Sequence, residues 1–280
     1  MVGPVSSSAA PSITNDGACG DATRSVLVRL AAIIEAFDDD RLALTLRELT
    51  LRTGLPRSTV YRMAEQLCAL GWLERERGDY RVGVKMFELG GLATRRNQLC
   101  DSAYAHLVTL AAHTGLTVQL AILDGPEVVY LERLPAKGFE LPTRDGGRMP
   151  AYCTALGKAM LAFQPDAMVS VREFGMSRRT DATICSERDL EAELGAVRRS
   201  GVAVDRQESY DGIGCVAAPI RNSGRAIGAV SITGPIDGME LRAIGPQVKR
   251  AALSIWNERF GVSTPQGGLA VGAAACREAT

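Results

Sequence analysis

Residues 45–71, TLRELTLRTGLPRSTVYRMAEQLCALG, constrain the fold of this chain more than any other stretch. Thr45 and Glu48 stand at capping-box spacing, where a hydroxyl and a carboxylate satisfy free backbone donors at a helix start. Gly54 is placed to close that helix, because glycine takes the left-handed conformation without a Cβ clash. Leu55 and Pro56 make a turn. A second helix follows, with Val60, Met63, Ala64, Leu67 and Leu70 at helical spacing before Gly71 stops it. Upstream, RSVLVRLAAIIEAF aligns Val26, Leu27, Leu30, Ile33, Ile34 and Phe37 on one stripe that ends at the acidic run DDD. Downstream, WLERERGDYRV predicts two short strands around Gly78 and Asp79. Helix, glycine turn, helix and hairpin is the order of a winged helix-turn-helix.

In such a unit the second helix enters the major groove and its early residues reach base edges. Those residues are Arg57, Ser58, Thr59, Tyr61 and Arg62, all off the apolar stripe. Arginine forks onto guanine or a phosphate, and hydroxyls serve phosphates and bases. Arg75, Arg77 and Arg81 lie in or beside the hairpin, where a wing meets the DNA backbone. The competing reading is a small helical core with solvated arginines, and Glu65, Glu74 and Glu76 weigh on that side. Lys+Arg and Asp+Glu are each 32, so any affinity for double-stranded DNA has to come from this local constellation.

The rest of the chain narrows the chemistry. Its 280 residues allow about two domains, and no apolar run approaches the ~18 residues of a membrane span. The amino terminus carries no secretory pattern, so the expected location is the cytoplasm, with no membrane partner. Seven scattered cysteines without a CxxC pair, and two histidines (His106 and His113), predict no metal, no cofactor and no serine-histidine triad. Residues 1–23 and 261–280, rich in Ser, Gly, Pro and Ala, are expected to be disordered. Between them lie a DNA-binding unit over 24–83, a linker helix over 84–100 weakened by Gly90 and Gly91, and a second domain over 101–260. That domain predicts a helix from Asp101, a hairpin through Asp124 and Gly125, and a strand at FELPTR. Helices at TALGKAMLAF and SERDLEAELGAVRRSG come next, then a final helix that Gly245 and Pro246 could interrupt. Antiparallel strands with helices grouped to the sides make the fold class α+β.

The stretch 201–235, GVAVDRQESYDGIGCVAAPIRNSGRAIGAVSITGP, predicts three of those strands. Alternation sends Val230 and Ile232 to one face and Ala229, Ser231 and Thr233 to the other, while Cys215, Ala217 and Pro219 share a face on the strand before. Small residues and hydroxyls gathered over a sheet suit a binding pocket, yet the same pattern fits an ordinary solvent-facing sheet.

The sequence resembles the IclR-type bacterial transcriptional regulators. RELTLRTGLPRSTVYRMAEQLCALGWLER looks like that family's DNA-binding signature. GGRMPAYCTALGKAMLA, with the 201–235 stretch, looks like its effector-binding domain. The likeness covers about residues 24–260 and implies a winged helix-turn-helix, a linker helix and a GAF-like antiparallel sheet with flanking helices. It also implies a homodimer or homotetramer on a palindromic operator, answering a small organic effector. By the same resemblance, a ligand carboxylate is held by backbone amides of Ala155 and Leu156, with Asp205, Cys215, Ser231 and Thr233 as matching side chains. Thr233 stands where a serine is more usual. Leu141 and Met149 are expected as apolar walls. The alternative is an enzyme acting on a small organic acid through Cys215 and Asp205, which requires a lowered thiol pKa and a base that no neighbouring residue supplies. A redox pair of Cys153 with Cys215 has no support from spacing. Trp72 and Trp256 are expected to be packing residues, and the Arg95-Arg96 and Arg198-Arg199 pairs solvated helix faces.

Overall fold

The computed structural model describes residues 25–38, 41–96 and 98–261. The expected tails, apart from Gly261, and the last two residues of the DDD run lie outside them. The described chain forms two compact units, meeting in sequence at Arg95 and Arg96.

The first unit contains α1 (Val26–Ile34), β1 (Ala43–Leu44), α2 (Leu46–Thr53), α3 (Arg57–Ala69), β2 (Leu73–Glu76), β3 (Asp79–Val82) and most of α4 (Val84–Arg96). The capping box is formed: Glu48 N donates to Thr45 Oγ1 at 3.2 Å, and Thr45 N donates to Glu48 Oε2 at 2.9 Å. Gly54 closes α2 at φ 65°. Val60, Met63, Ala64 and Leu67 of α3 are buried with Ile33, Leu49, Leu73 and Tyr80, so one apolar stripe per helix builds the core. A two-residue strand not foreseen from the sequence, β1, pairs with β3 to complete a three-stranded antiparallel wing in the order β1-β3-β2. The stripes are narrower than expected. Val26, Leu27 and Leu70 are exposed, at the start of α1 and just past α3. Gly90 and Gly91 do not interrupt α4.

The second unit begins with α5 (Gln98–Thr114), followed by β4 (Thr117–Asp124), β5 (Glu127–Leu134) and β6 (Arg148–Pro150). A 3-10 turn (Ala151–Cys153) leads into α6 (Ala155–Leu161), then α7 (Ala167–Phe174), α8 (Glu187–Ser200), β7 (Ala203–Arg206), β8 (Ile213–Asn222), β9 (Arg225–Pro235) and α9 (Leu241–Phe260). The six strands form one antiparallel sheet in the order β6-β5-β4-β9-β8-β7. Alternation along the strands decides which helices cover which face. Val118, Leu120, Val216, Val230 and Ile232 pack with α5 and α9, whereas Ala121, Tyr130, Cys215, Ala217 and Ala229 pack with α6 and α8. The predicted facing of β8 and β9 is therefore found.

Two expectations are corrected. FELPTR is not a strand: residues 139–144 are irregular, bounded by Gly138, Gly146 and Gly147, and Pro142 supplies no N–H for a ladder. The sixth strand is β6 instead. The last helix runs unbroken through Pro246, whose missing N–H frees only the carbonyl of exposed Arg242, which water can serve.

Candidate functional site

The first unit presents one polar face of α3. Arg57, Ser58, Tyr61 and Arg62 are exposed and Thr59 is half-buried, while Val60 and Met63 anchor the opposite face. The wing treats its arginines differently. Arg75 reaches Glu65 Oε1 at 3.3 Å and lies over the Tyr80 ring, 5.5 Å from its centroid, and Arg81 pairs with Glu76 at 2.5 Å. Arg77 sits at the hairpin tip at φ 53°, beside Gly78 at φ 99°. Two consecutive positive φ values make the tight turn that matches the twist of its strands, and they push the Arg77 side chain outward.

In the second unit a narrow cavity of about 20 Å³, no larger than one water, lies between the sheet and the start of α6. Ala155 and Leu156 open α6 and line it. Their N–H groups fall in the first turn, where a helix has no internal acceptors. Thr154 caps that turn by accepting from Gly157 N at 3.1 Å. Asp205, Cys215 and Thr233 line the sheet side, brought level by the registers Asp205↔Cys215 and Cys215↔Thr233. Leu141 and Thr143 cover it from the irregular segment after β5.

Hydrogen bonds run from the floor to this cover. Thr233 Oγ1 lies 3.0 Å from Cys215 Sγ and donates to Gln119 Oε1 at 3.1 Å. The single hydroxyl proton serves one of these two acceptors at a time. Gln119 Nε2 then donates to Thr143 Oγ1 at 2.8 Å. Burial pushes the Cys215 thiol up to about 12, against the pull of the Thr233 and Ser231 hydroxyls, and burial likewise takes Cys153 to about 12. Both keep their protons at neutral pH, the opposite of an activated nucleophile.

Asp205 is fully engaged. Its Oδ1 accepts from Glu208 N at 2.6 Å and its Oδ2 from Ser209 Oγ at 2.5 Å, so the carboxylate holds its own turn. Burial raises its pKa, opposed first by the Ser209 hydroxyl. Behind it, fully buried Lys158 donates to Glu208 Oε1 at 2.5 Å and to the Val204 carbonyl at 2.6 Å, with Glu193 at 3.5 Å. Burial raises the Glu208 pKa and Lys158 pulls it back. Gly157 is needed just before: a Cβ there would lie 2.1 Å from Ala151 O.

Six of the eight expected effector-site residues thus meet at the cavity: Leu141, Ala155, Leu156, Asp205, Cys215 and Thr233. Met149 sits one layer back, accepting from the Tyr210 hydroxyl at 3.3 Å. Ser231 is buried beside the Cys215 thiol without a well-formed hydrogen bond. Sequence reasoning missed Gln119, Tyr130, Thr143, Ser209 and Tyr210, all of which line the cavity. The Tyr130 hydroxyl has no hydrogen-bond partner among the described residues. The one available signal was Gln119, a lone amide in the apolar run TVQLAIL.

Residues 26–77 match the IclR helix-turn-helix domain, and residues 92–257 match the C-terminal domain of the bacterial transcriptional regulator IclR. The chain belongs to the IclR family of transcriptional regulators. The HTH-type transcriptional regulator XynR of Escherichia coli is 30% identical over 236 residues, covering 81% of this chain and 94% of that protein. The HTH-type transcriptional regulator KdgR of Dickeya chrysanthemi is 32% identical over 221 residues, covering 77% of this chain and 72% of that protein. An IclR homologue from Microbacterium hydrocarbonoxydans, solved in complex with 4-hydroxybenzoate, matches with a TM-score of 0.76 at 28% identity, covering 84% of this chain and 98% of that one. Within this IclR-family chain, then, the exposed face of α3 belongs to a DNA-binding helix-turn-helix and the cavity to the C-terminal domain. Among the described residues no helix is long and apolar enough to cross a membrane, and no cluster of metal-ligating side chains occurs.

Proposed function

We propose that this IclR-family regulator acts in the cytoplasm as a homo-oligomer whose operator affinity is set by a small carboxylate-bearing metabolite. The observation that carries the reading is the cavity itself. First-turn N–H groups of Ala155 and Leu156 offer donors to an anion, and the unpartnered Tyr130 hydroxyl offers a further polar contact. The 4-hydroxybenzoate bound by the Microbacterium homologue, an aromatic carboxylate with a hydroxyl at its far end, supports this ligand class. Because the cavity is no larger than one water, an organic ligand has to widen it, and the irregular segment carrying Leu141 and Thr143, tied down by the Gln119–Thr143 bond, is the cover that yields. That bond is the element a ligand biases, and the ligand shifts operator affinity only through its preference for the opened arrangement. Arg57, Ser58, Thr59, Tyr61 and Arg62 read the operator, and Arg77, with Arg75 held by Glu65, fixes the wing against phosphates. Leu27 and Phe87, 76% and 81% exposed on α1 and α4, support association of DNA-binding units, which supplies the second half-site.

The site is read as binding without reacting, since burial holds the Cys215 thiol protonated and the neighbouring Asp205 carboxylate is taken up by Glu208 N and Ser209 Oγ. The test is thermal denaturation of the full chain with aromatic and aliphatic carboxylates and their carboxamides, beside a mobility shift on DNA upstream of its gene. A true effector at about 100 times its Kd adds about 2.7 kcal/mol and moves the operator shift, while its amide does neither. If amides stabilise as well as acids, the carboxylate assignment fails.

A further inference from the structure

The second unit carries a far wider concavity than the effector cavity. It is an open groove of about 1280 Å³ along the β7 edge of the sheet, between the end of α8 and the outer side of α9. Seven lining residues are lysine or arginine against one carboxylate, Glu193, in a chain whose charges balance as a whole. Glu193 is turned toward Lys158. Arg199, Arg206, Arg242 and Arg250 are exposed and pair with no carboxylate among the described residues. Between these cations the surface is apolar: Val202 and Val204 of β7 and its lead-in, Pro246, and Leu253, which is 59% exposed. The strand edge is open here too. β7 pairs with β8 only from Ala203↔Ala217 to Arg206↔Gly214, so residues 218–222 of β8 have no strand on the groove side.

We propose that this groove docks an acidic segment of another protein, one in which Asp or Glu flanks apolar side chains. Charge complementarity calls for carboxylates, and the apolar strip calls for leucine-like or phenylalanine-like side chains between them. The volume exceeds the ~300–1,000 Å³ typical of small-molecule sites. A second copy meeting this face about a two-fold axis would set the cations of one groove against those of the other. Duplex DNA would satisfy the arginines and leave Leu253 and the valines against phosphate.

The test uses the full-length chain at about 0.15 M salt and fluorescence anisotropy of a labelled amphipathic peptide with leucines on one helical face and glutamates elsewhere. Control peptides replace glutamate by glutamine, or leucine by serine. The expected result is saturable binding that weakens about tenfold in either control and about tenfold in the Arg199→Glu/Arg250→Glu variant. Leu253→Ser, which keeps every charge, weakens it as well. Operator affinity, helical content and sedimentation stay unchanged in both variants. No binding of the acidic peptide, equal binding by the charge-reversed variant, or equal binding of the serine control overturns the proposal. So does a variant that loses random-sequence duplex affinity more than peptide affinity, which marks a nucleic-acid face, or one that changes sedimentation, which marks contact between copies.

Discussion

Lys158→Met tests the reasoning about the site most severely, because it changes one buried charge and almost no volume. The Lys158 ammonium is 0% exposed and lies 2.5 Å from Glu208 Oε1, while Glu208 Oε2 already has no partner. Removing the ammonium leaves a buried carboxylate without its counter-ion, and losses of this kind run to about 3–5 kcal/mol. For a unit of this size each kcal/mol moves Tm by about 2–4 °C, so the variant should melt roughly 10 °C lower at pH 7.5. The pH dependence gives the sign. Burial holds the folded Glu208 pKa above its ordinary 4.5, and the variant raises it further by removing the pull of Lys158. The folded state then takes up a proton more readily than the unfolded chain, so the penalty is largest above the folded pKa and fades as pH falls through it toward 4.5. Differential scanning calorimetry from pH 5 to 8 should show the gap to wild type closing on the acid side. Lys158→Met/Glu208→Gln should recover much of the loss at pH 7.5, the non-additivity expected of contacting residues. A Tm drop below about 2 °C, or a gap that widens on acidification, would refute the buried-pair account.

Three further outcomes follow from the same geometry. Arg62→Ala should weaken specific operator binding by about 1–3 kcal/mol in a mobility-shift titration if its guanidinium reaches a base edge, with the melting curve unmoved because Arg62 is exposed. Arg77→Gly relieves a left-handed residue, so it should stabilise the fold by about 1 kcal/mol while lowering the salt slope of operator binding by about one phosphate contact. Iodoacetamide at pH 7.5 should label exposed Cys185 in the native chain and spare Cys153 and Cys215 until denaturant is added, since both buried thiols stay protonated; native labelling of Cys215 would reopen its candidacy as a nucleophile.

The parts of the fold legible in the sequence are those whose cause is local. The capping box at Thr45, the stop at Gly54 and the facing of β9 each depend on residues within a few positions of one another. What was misread depends on context. FELPTR alternates like a strand, yet the cover over the cavity is held by single side-chain bonds from the strands before it, Gln119 of β4 to Thr143 and Arg133 of β5 to the Leu141 carbonyl. The short helix α7 went unassigned because AMVSVREF carries two valines and a serine, weak helix formers whose helix is held by burying Met168 and Val171. At the site, the family resemblance groups Asp205, Cys215 and Thr233 where alternation alone leaves an ordinary sheet open, and the registers Asp205↔Cys215 and Cys215↔Thr233 are the physical reason they meet. Tyr130 and Gln119 reach the same cavity from strands about a hundred residues away, and only the sheet order β5-β4-β9-β8 brings them in.

The stretch ALGK shows how far a motif can be read before its structure is known. As a sequence it marks a helix start, and the resemblance adds an anion at its first amides. In three dimensions its residues divide the work by direction. Ala155 and Leu156 face the cavity. Gly157 lets the preceding 3-10 turn lie against the helix, since any Cβ would strike the Ala151 backbone. Lys158 points the other way, holding the Val204 carbonyl of β7 and the Glu208 carboxylate beyond it. Asp205 sits between those two anchor points and binds the Glu208 N–H. The cavity wall is therefore tied to a single short helix at two points, in β7 and in the turn that follows it. Asp205→Asn should accordingly disturb the 206–209 turn and lower stability before it changes ligand selectivity. Equal melting of Asp205→Asn and wild type, with altered ligand preference, would instead make Asp205 a direct ligand contact.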